Sequence, residues 1–223
     1  MVKISKKMPE IIPRPINPRP YALALIITIL IFSAGMYIGT QIDGLLFNDI
    51  RQDISSAEDR ITATELLLQI GDSAEFCSFF EKQMDSFGND TYKLGSKLGF
   101  LENEKGTIDN EVKSEYFLLE LRDYLLMKKF STTCSTDAVP VLYFLSNRDC
   151  PGCMEQGNQL TDARIASGER LKVYSFDVGF ESPAVEWLVE KYGVNSVPTM
   201  IIGAERIEGF VTKDEILSRI PAS

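Results

Sequence analysis

Cysteine is the residue type in this chain best suited to chemistry, and two of its four cysteines stand three apart, in Cys150-Pro151-Gly152-Cys153. A thiolate is a nucleophile, and a second thiol within one helical turn can attack the mixed disulfide that the first one forms. Cys77 and Cys134 are isolated from that pair and from each other. The split suggests one reactive pair and one structural pair. There is no histidine. Ser–His and Cys–His nucleophile pairs and imidazole metal sites are therefore excluded, and the chemistry falls to thiols, carboxylates, lysines and backbone groups.

Three readings of the Cys-x-x-Cys pattern compete. A zinc knuckle needs four ligands, and only Cys77 and Cys134 could complete the set. An inert disulfide across so small a loop would constrain little of the unfolded chain. A redox dithiol fits best, and it needs neither metal nor cofactor. The first cysteine follows an apolar run, Val139–Leu145, and opens a helical pattern that reaches Ala166, with the second on its first turn. Amide groups and the dipole at a helix start favour negative charge on Cys150. Pro151 suits that start, where its missing N–H costs nothing. Arg148 would help the thiolate and Asp149 would oppose it.

The elements that must position the pair follow a regular order. Val139–Leu145 reads as a strand and 150–166 as a helix. Residues 171–178 alternate with period two, as a half-buried strand does. Pro183–Tyr192 reads as a helix that Gly193 stops. Strands are expected at 199–202 and 206–211. A last helix opens at Thr212 with a capping box completed by Glu215. This βαβαββα order predicts an α/β fold with a central mixed sheet flanked by helices.

The stretch Tyr143-Phe144-Leu145 followed by Cys150-Pro151-Gly152-Cys153 and a helix resembles the active-site strand and helix of the thioredoxin superfamily. A second match is Tyr192-Gly193-Val194-Asn195-Ser196-Val197-Pro198-Thr199, which resembles the family's cis-proline loop; Gly209-Phe210 resembles its late glycine. The resemblance covers 137–223. It implies a thioredoxin-like fold with Cys150 as nucleophile and Cys153 as resolving thiol. Pro198 would be cis, and Val197 would offer backbone groups to a substrate strand. Two positions depart from the family. Asp149 stands where many thioredoxins carry tryptophan, and Phe144 where many carry a buried acid. A specialised extracytoplasmic member is implied more than a general cytosolic reductase.

The rest of the chain places this domain. Residues 1–20 are basic and rich in proline. That composition suits a solvated tail or, alternatively, a segment docking to a proline-reading partner. Residues 21–42 carry no charge, and the apolar run is long enough to span a bilayer. An uncleaved anchor is favoured over a signal peptide, because the run is too long and its small residues lie within it. Basic residues before the span and acidic ones after it put the N-terminus in the cytoplasm and the remainder outside the cell membrane. Gly35 and Gly39 make a Gly-x-x-x-Gly spacing, a possible helix–helix contact.

Residues 43–136 read as an α-helical stalk or bundle, with substrate docking as the alternative. Leu46, Ile50, Ile54, Ala57, Ile61 and Leu68 form an apolar stripe. A second helix starts near Asp72 or Ser73 and breaks at 87–90; a third runs 109–130. Outside the membrane Cys77 and Cys134 are expected to pair as a structural disulfide, with a redox relay to Cys150 as the alternative. Asn89-Asp90-Thr91 is a glycosylation sequon. The acidic balance, 32 Asp+Glu against 23 Lys+Arg, argues against a nucleic-acid partner. The expected partners are thiols and disulfides of exported proteins and, through 21–42, membrane lipid. The expected activity is thiol–disulfide exchange. The alternative is an accessory subunit of a membrane complex, like those of oligosaccharyltransferase, that holds clients through transient mixed disulfides.

Overall fold

The computed structural model describes residues 18–70, 73–105, 110–134 and 136–220. The side chains of 40–47, 73, 84–88 and 103–105 are outside that description. The chain divides into two compact units, Met1–Phe47 and Asn48–Ser223.

In the first unit, helix α1 (Arg19–Ile70) begins at Arg19. Its Arg19–Gly39 portion is long and apolar enough to cross a membrane, and none of it is buried within the protein. Tyr21, Leu25, Ile29, Phe32 and Met36 all face outward. An aqueous surface would not tolerate so continuous an apolar sleeve. The expected span of 21–42 runs past Gly39 into residues whose side chains lie outside the description.

The second unit begins at Asn48. Here α1 buries Ile50, Ile54, Ala57 and Ile61, four members of the expected stripe. Thr64 continues the stripe, buried with its hydroxyl donating to the Arg60 carbonyl. Leu68 is only half-buried, and Leu46 lies outside the described side chains. Two helices follow, α2 (Ser73–Lys105) and α3 (Asn110–Thr133). The break expected at 87–90 is absent, and α2 runs through it. A glycine inside a helix costs only about 1 kcal/mol. Burial of Thr91, Leu94, Leu98 and Leu101 outweighs that loss, and Arg60 holds Asp90 at 2.5 Å. Phe76, Phe80 and Phe130 stack between α2 and α3.

The remaining elements are β1 (Val139–Leu145), α4 (Cys153–Ala166), β2 (Leu171–Asp177), α5 (Pro183–Tyr192), β3 (Thr199–Ile202), β4 (Glu205–Glu208) and α6 (Lys213–Ser218). The fold is α/β, with a mixed sheet in the order β2-β1-β3-β4. β1 and β2 are parallel; β3 is antiparallel to both β1 and β4. One sheet face, with Val141, Tyr143 and Met200, packs on Leu160 and Ala163 of α4 and Ile216 of α6. On the other, Phe144 and Phe176 meet Tyr192 of α5 and Phe117 of α3.

Gly193 stops α5 at φ 61°, as its position predicts. The Thr212–Glu215 capping box starts α6. The expected strand at 206–211 is shorter, Glu205–Glu208, because Gly209 turns the chain at φ 83°. The outer edge of β2 is occupied in part. Its Ser175 amide donates to Glu120 of α3 at 2.5 Å, so a helical side chain occupies a position where a further strand would bond.

Candidate functional site

Cys150 and Cys153 form a disulfide with Cα atoms 5.3 Å apart. They straddle the start of α4. Gly152 is its N-cap and Cys153 its first residue, so the helix begins three residues later than the sequence pattern suggests. Residues 150–152 form a turn closed by the Cys153 amide donating to the Cys150 carbonyl. The pair is asymmetric. Cys150 is partly accessible, whereas Cys153 is 4% exposed. An incoming sulfur can therefore reach Cys150, while Cys153 is held beneath it. Tyr143 fixes the buried end, its hydroxyl donating to the Cys153 carbonyl at 2.6 Å. Burial raises the pKa of that phenol, so it stays a donor.

Pro198 stands immediately before β3, and the Val197–Pro198 peptide is cis. Because β3 is antiparallel to β1, with Thr199 opposite Phe144, its beginning lies beside the end of β1. The dithiol turn and the Val197–Pro198 loop thus share the end of the sheet where β1 and β2 terminate. Crevices beyond the carboxyl ends of such strands are favoured ligand sites. The Pro198 carbonyl accepts from the Gly209 amide at 2.8 Å. Among the described residues no hydrogen bond occupies the backbone of Val197.

Pattern reading missed several supporting residues. Gln156, one turn after Cys153, is fully buried and accepts from the Val211 amide, tying α4 to the segment after β4. Lys113 of α3 bonds Asp177 at 2.7 Å and Glu102 at 2.8 Å. Glu102 also accepts from Asn147 at 2.6 Å, three residues before Cys150. Asp177 in turn accepts from the Gly179 amide. A chain of charge-assisted bonds thus runs from the helical region to both loops beside the dithiol. The one available signal was a lysine among the apolar positions of α3. Arg148 and Asp149 are both exposed.

Glu120 and Asp123 of α3 are buried acids. Desolvation raises Glu120 well above the ordinary carboxylate range, opposed by the Ser175 amide and the Tyr116 hydroxyl. Desolvation lifts Asp123 to about 6, against the Thr91 hydroxyl and the charge of Lys172. Thr91 is the last residue of the Asn89 sequon, and its hydroxyl donates to Asp123 at 3.0 Å.

Cys77 and Cys134 form the second disulfide, Cα atoms 5.6 Å apart, joining the start of α2 to the residue after α3. All four cysteines are paired. Among the described residues no cluster of acids and cysteines could hold a metal ion. Gly35 and Gly39 lie on the exposed apolar helix with open space where a Cβ would stand.

No protein-family model and no curated protein matches the chain. Solved structures do. One, described as a malarial protein, is 26% identical over 36% of this chain and 91% of its own, with a TM-score of 0.32. A second, thioredoxin-2, described as a component of malaria parasite protein secretion machinery, is 26% identical over 36% of this chain and 79% of its own, again with a TM-score of 0.32.

Proposed function

We propose that the chain is a membrane-anchored thiol–disulfide oxidoreductase acting on proteins outside the cytoplasm. The observation that carries this reading is the unequal exposure of Cys150 and Cys153 across the start of α4. In the reducing direction, the Cys150 thiolate attacks one sulfur of a client disulfide. The client S–S bond breaks, a mixed disulfide forms, and the other client sulfur leaves as a thiolate that takes a proton from water. Cys153, deprotonated to solvent, then attacks the Cys150 sulfur. The second client thiolate leaves and is protonated, and the two electrons of the dithiol have passed to the client. The oxidising direction is the reverse.

Val197 and Pro198 would line the client side, and the Cys77–Cys134 bridge would be structural. The basic N-terminal flank supports an N-terminus in the cytoplasm. The test uses the full chain in detergent, with dithiothreitol as reductant and insulin as client. Cys150→Ser is expected to reduce turnover to the dithiothreitol background, and Cys153→Ala, reduced and then freed of dithiothreitol, to accumulate mixed disulfides with insulin. Turnover by Cys150→Ser equal to that of the parent would sink the proposal.

A second reading is favoured by the open faces of Gly35 and Gly39 on an apolar helix. The chain would be an accessory subunit of a membrane assembly, holding clients through mixed disulfides with little turnover. Recovery from mild detergent as a lone monomer would count against it.

A further inference from the structure

We propose that a cleft beside the Val197–Pro198 loop selects peptide segments bearing a basic side chain next to an apolar one, close to the reacting cysteine. The inference rests on the thiol-exchange reading and names its client class.

The cleft holds about 400 Å³. Its apolar walls come from Val178 and Phe180 after β2, Val185 and Val189 of α5, and Val194 and Val197 before β3. Val197 therefore belongs both to the cleft and to the loop beside the dithiol. A peptide lying along the open Val197 backbone would place a neighbouring side chain in the cleft. Side-chain pockets beside such backbone pairing are how extended peptides are discriminated.

The charge is one-sided. Glu181 and Glu186 line the cleft, both exposed, and no lysine or arginine does. Among the described residues neither carboxylate forms an ion pair with a lysine or arginine. They are the complement of a Lys or Arg side chain, which would lay its methylene stem on the valines and its charge on the rim.

The cleft is also preformed. The Val178 amide donates to the Leu145 carbonyl at 2.8 Å, and Phe180 to Asp177 at 3.1 Å. The Lys113 ammonium, fixed on Asp177, lies 5.3 Å from the Phe180 ring centre. Little ordering remains for a peptide to impose, which lowers the cost of binding.

The test measures binding apart from chemistry. Labelled peptides of sequence type apolar–Lys–Ser and apolar–Glu–Ser, with serine replacing the reacting cysteine, are titrated by anisotropy onto the full chain in detergent at low salt. The Lys peptide is expected to bind about tenfold more tightly, two rim charges each contributing modestly. Replacing its apolar residue by serine should weaken it further. Glu181→Lys with Glu186→Lys is expected to invert the preference, and Glu181→Gln with Glu186→Gln to abolish it while both peptides still bind. Equal affinities in the parent, or an unaltered preference in the two variants, would overturn the inference. Insulin turnover is read separately, so a charge preference without turnover would refute the oxidoreductase reading alone.

Discussion

Asp123 is the residue at which solution conditions should speak most clearly. Its carboxyl is buried on α3, with Oδ1 lacking a hydrogen-bond partner among the described residues. Its pKa stands at about 6 against an ordinary 3.8. A carboxyl raised by folding binds its proton more tightly in the native state. Its stabilising effect is full below the unfolded value and is lost as pH rises to the folded one. Stability should therefore fall by about 3 kcal/mol between about pH 4 and pH 6 from this group. Glu120 is shifted in the same direction and extends the fall. Lys172 opposes it by favouring the ionised Asp123, and the Thr91 hydroxyl does the same. Asp123→Asn keeps an acceptor for Thr91 and should flatten the profile, with a gain at pH 7. Urea midpoints of parent and variant at pH 4 and pH 7 measure this; parallel profiles would contradict it.

At the scale of elements, the strands and helices after Ala138 were legible because each carries local punctuation. Gly193 and the Thr212–Glu215 box mark helix ends, and the period-two run at Leu171 marks a strand. The Cys-x-x-Cys pair was legible for the same reason, since its spacing is local. The continuity of α2 through Gly88 was not, because the packing that overrides a glycine comes from elements distant in sequence. The same holds for Lys113, whose partners stand 11 and 64 residues away. Its side chain is 10% exposed and that of Asp177 is 7% exposed. Removing one partner of such a pair leaves an uncompensated charge. Lys113→Met should cost about 3 kcal/mol. Adding Asp177→Asn should recover a substantial part of that loss, and a double-mutant cycle by chemical denaturation reads the coupling. Additive losses would mean that the bridge is not a unit.

At the scale of the molecule, the unit from Asn48 onward is bound together by one long covalent loop. The Cys77–Cys134 bridge spans 57 residues of sequence, most of α2 and all of α3. Closing so long a loop removes much of the unfolded chain's freedom, worth on the order of 4 kcal/mol. Cys77→Ala with Cys134→Ala should lower the unfolding free energy by about that much, while leaving insulin turnover at Cys150 intact. Loss of turnover in a variant that remains folded by circular dichroism would instead favour a relay between the two cysteine pairs. The first unit needs a different solvent. Its apolar sleeve is satisfied by lipid or detergent, so the full chain should sediment as a defined species only in their presence.

The borders of the sheet have a consequence for behaviour at high concentration. On one side the β2 edge is occupied by α3 through Glu120 and Ser175. On the other, β4 presents Glu205, Arg206 and Glu208 to solvent, with Arg206 paired to Glu208 and Arg219 to Glu205. One border is occupied in part by a helix and the other is guarded by charge, the two usual defences against intermolecular strand addition. Native protein with borders of this kind is a poor template for strand addition, even when it is crowded with unfolded chains whose own strands are unpaired.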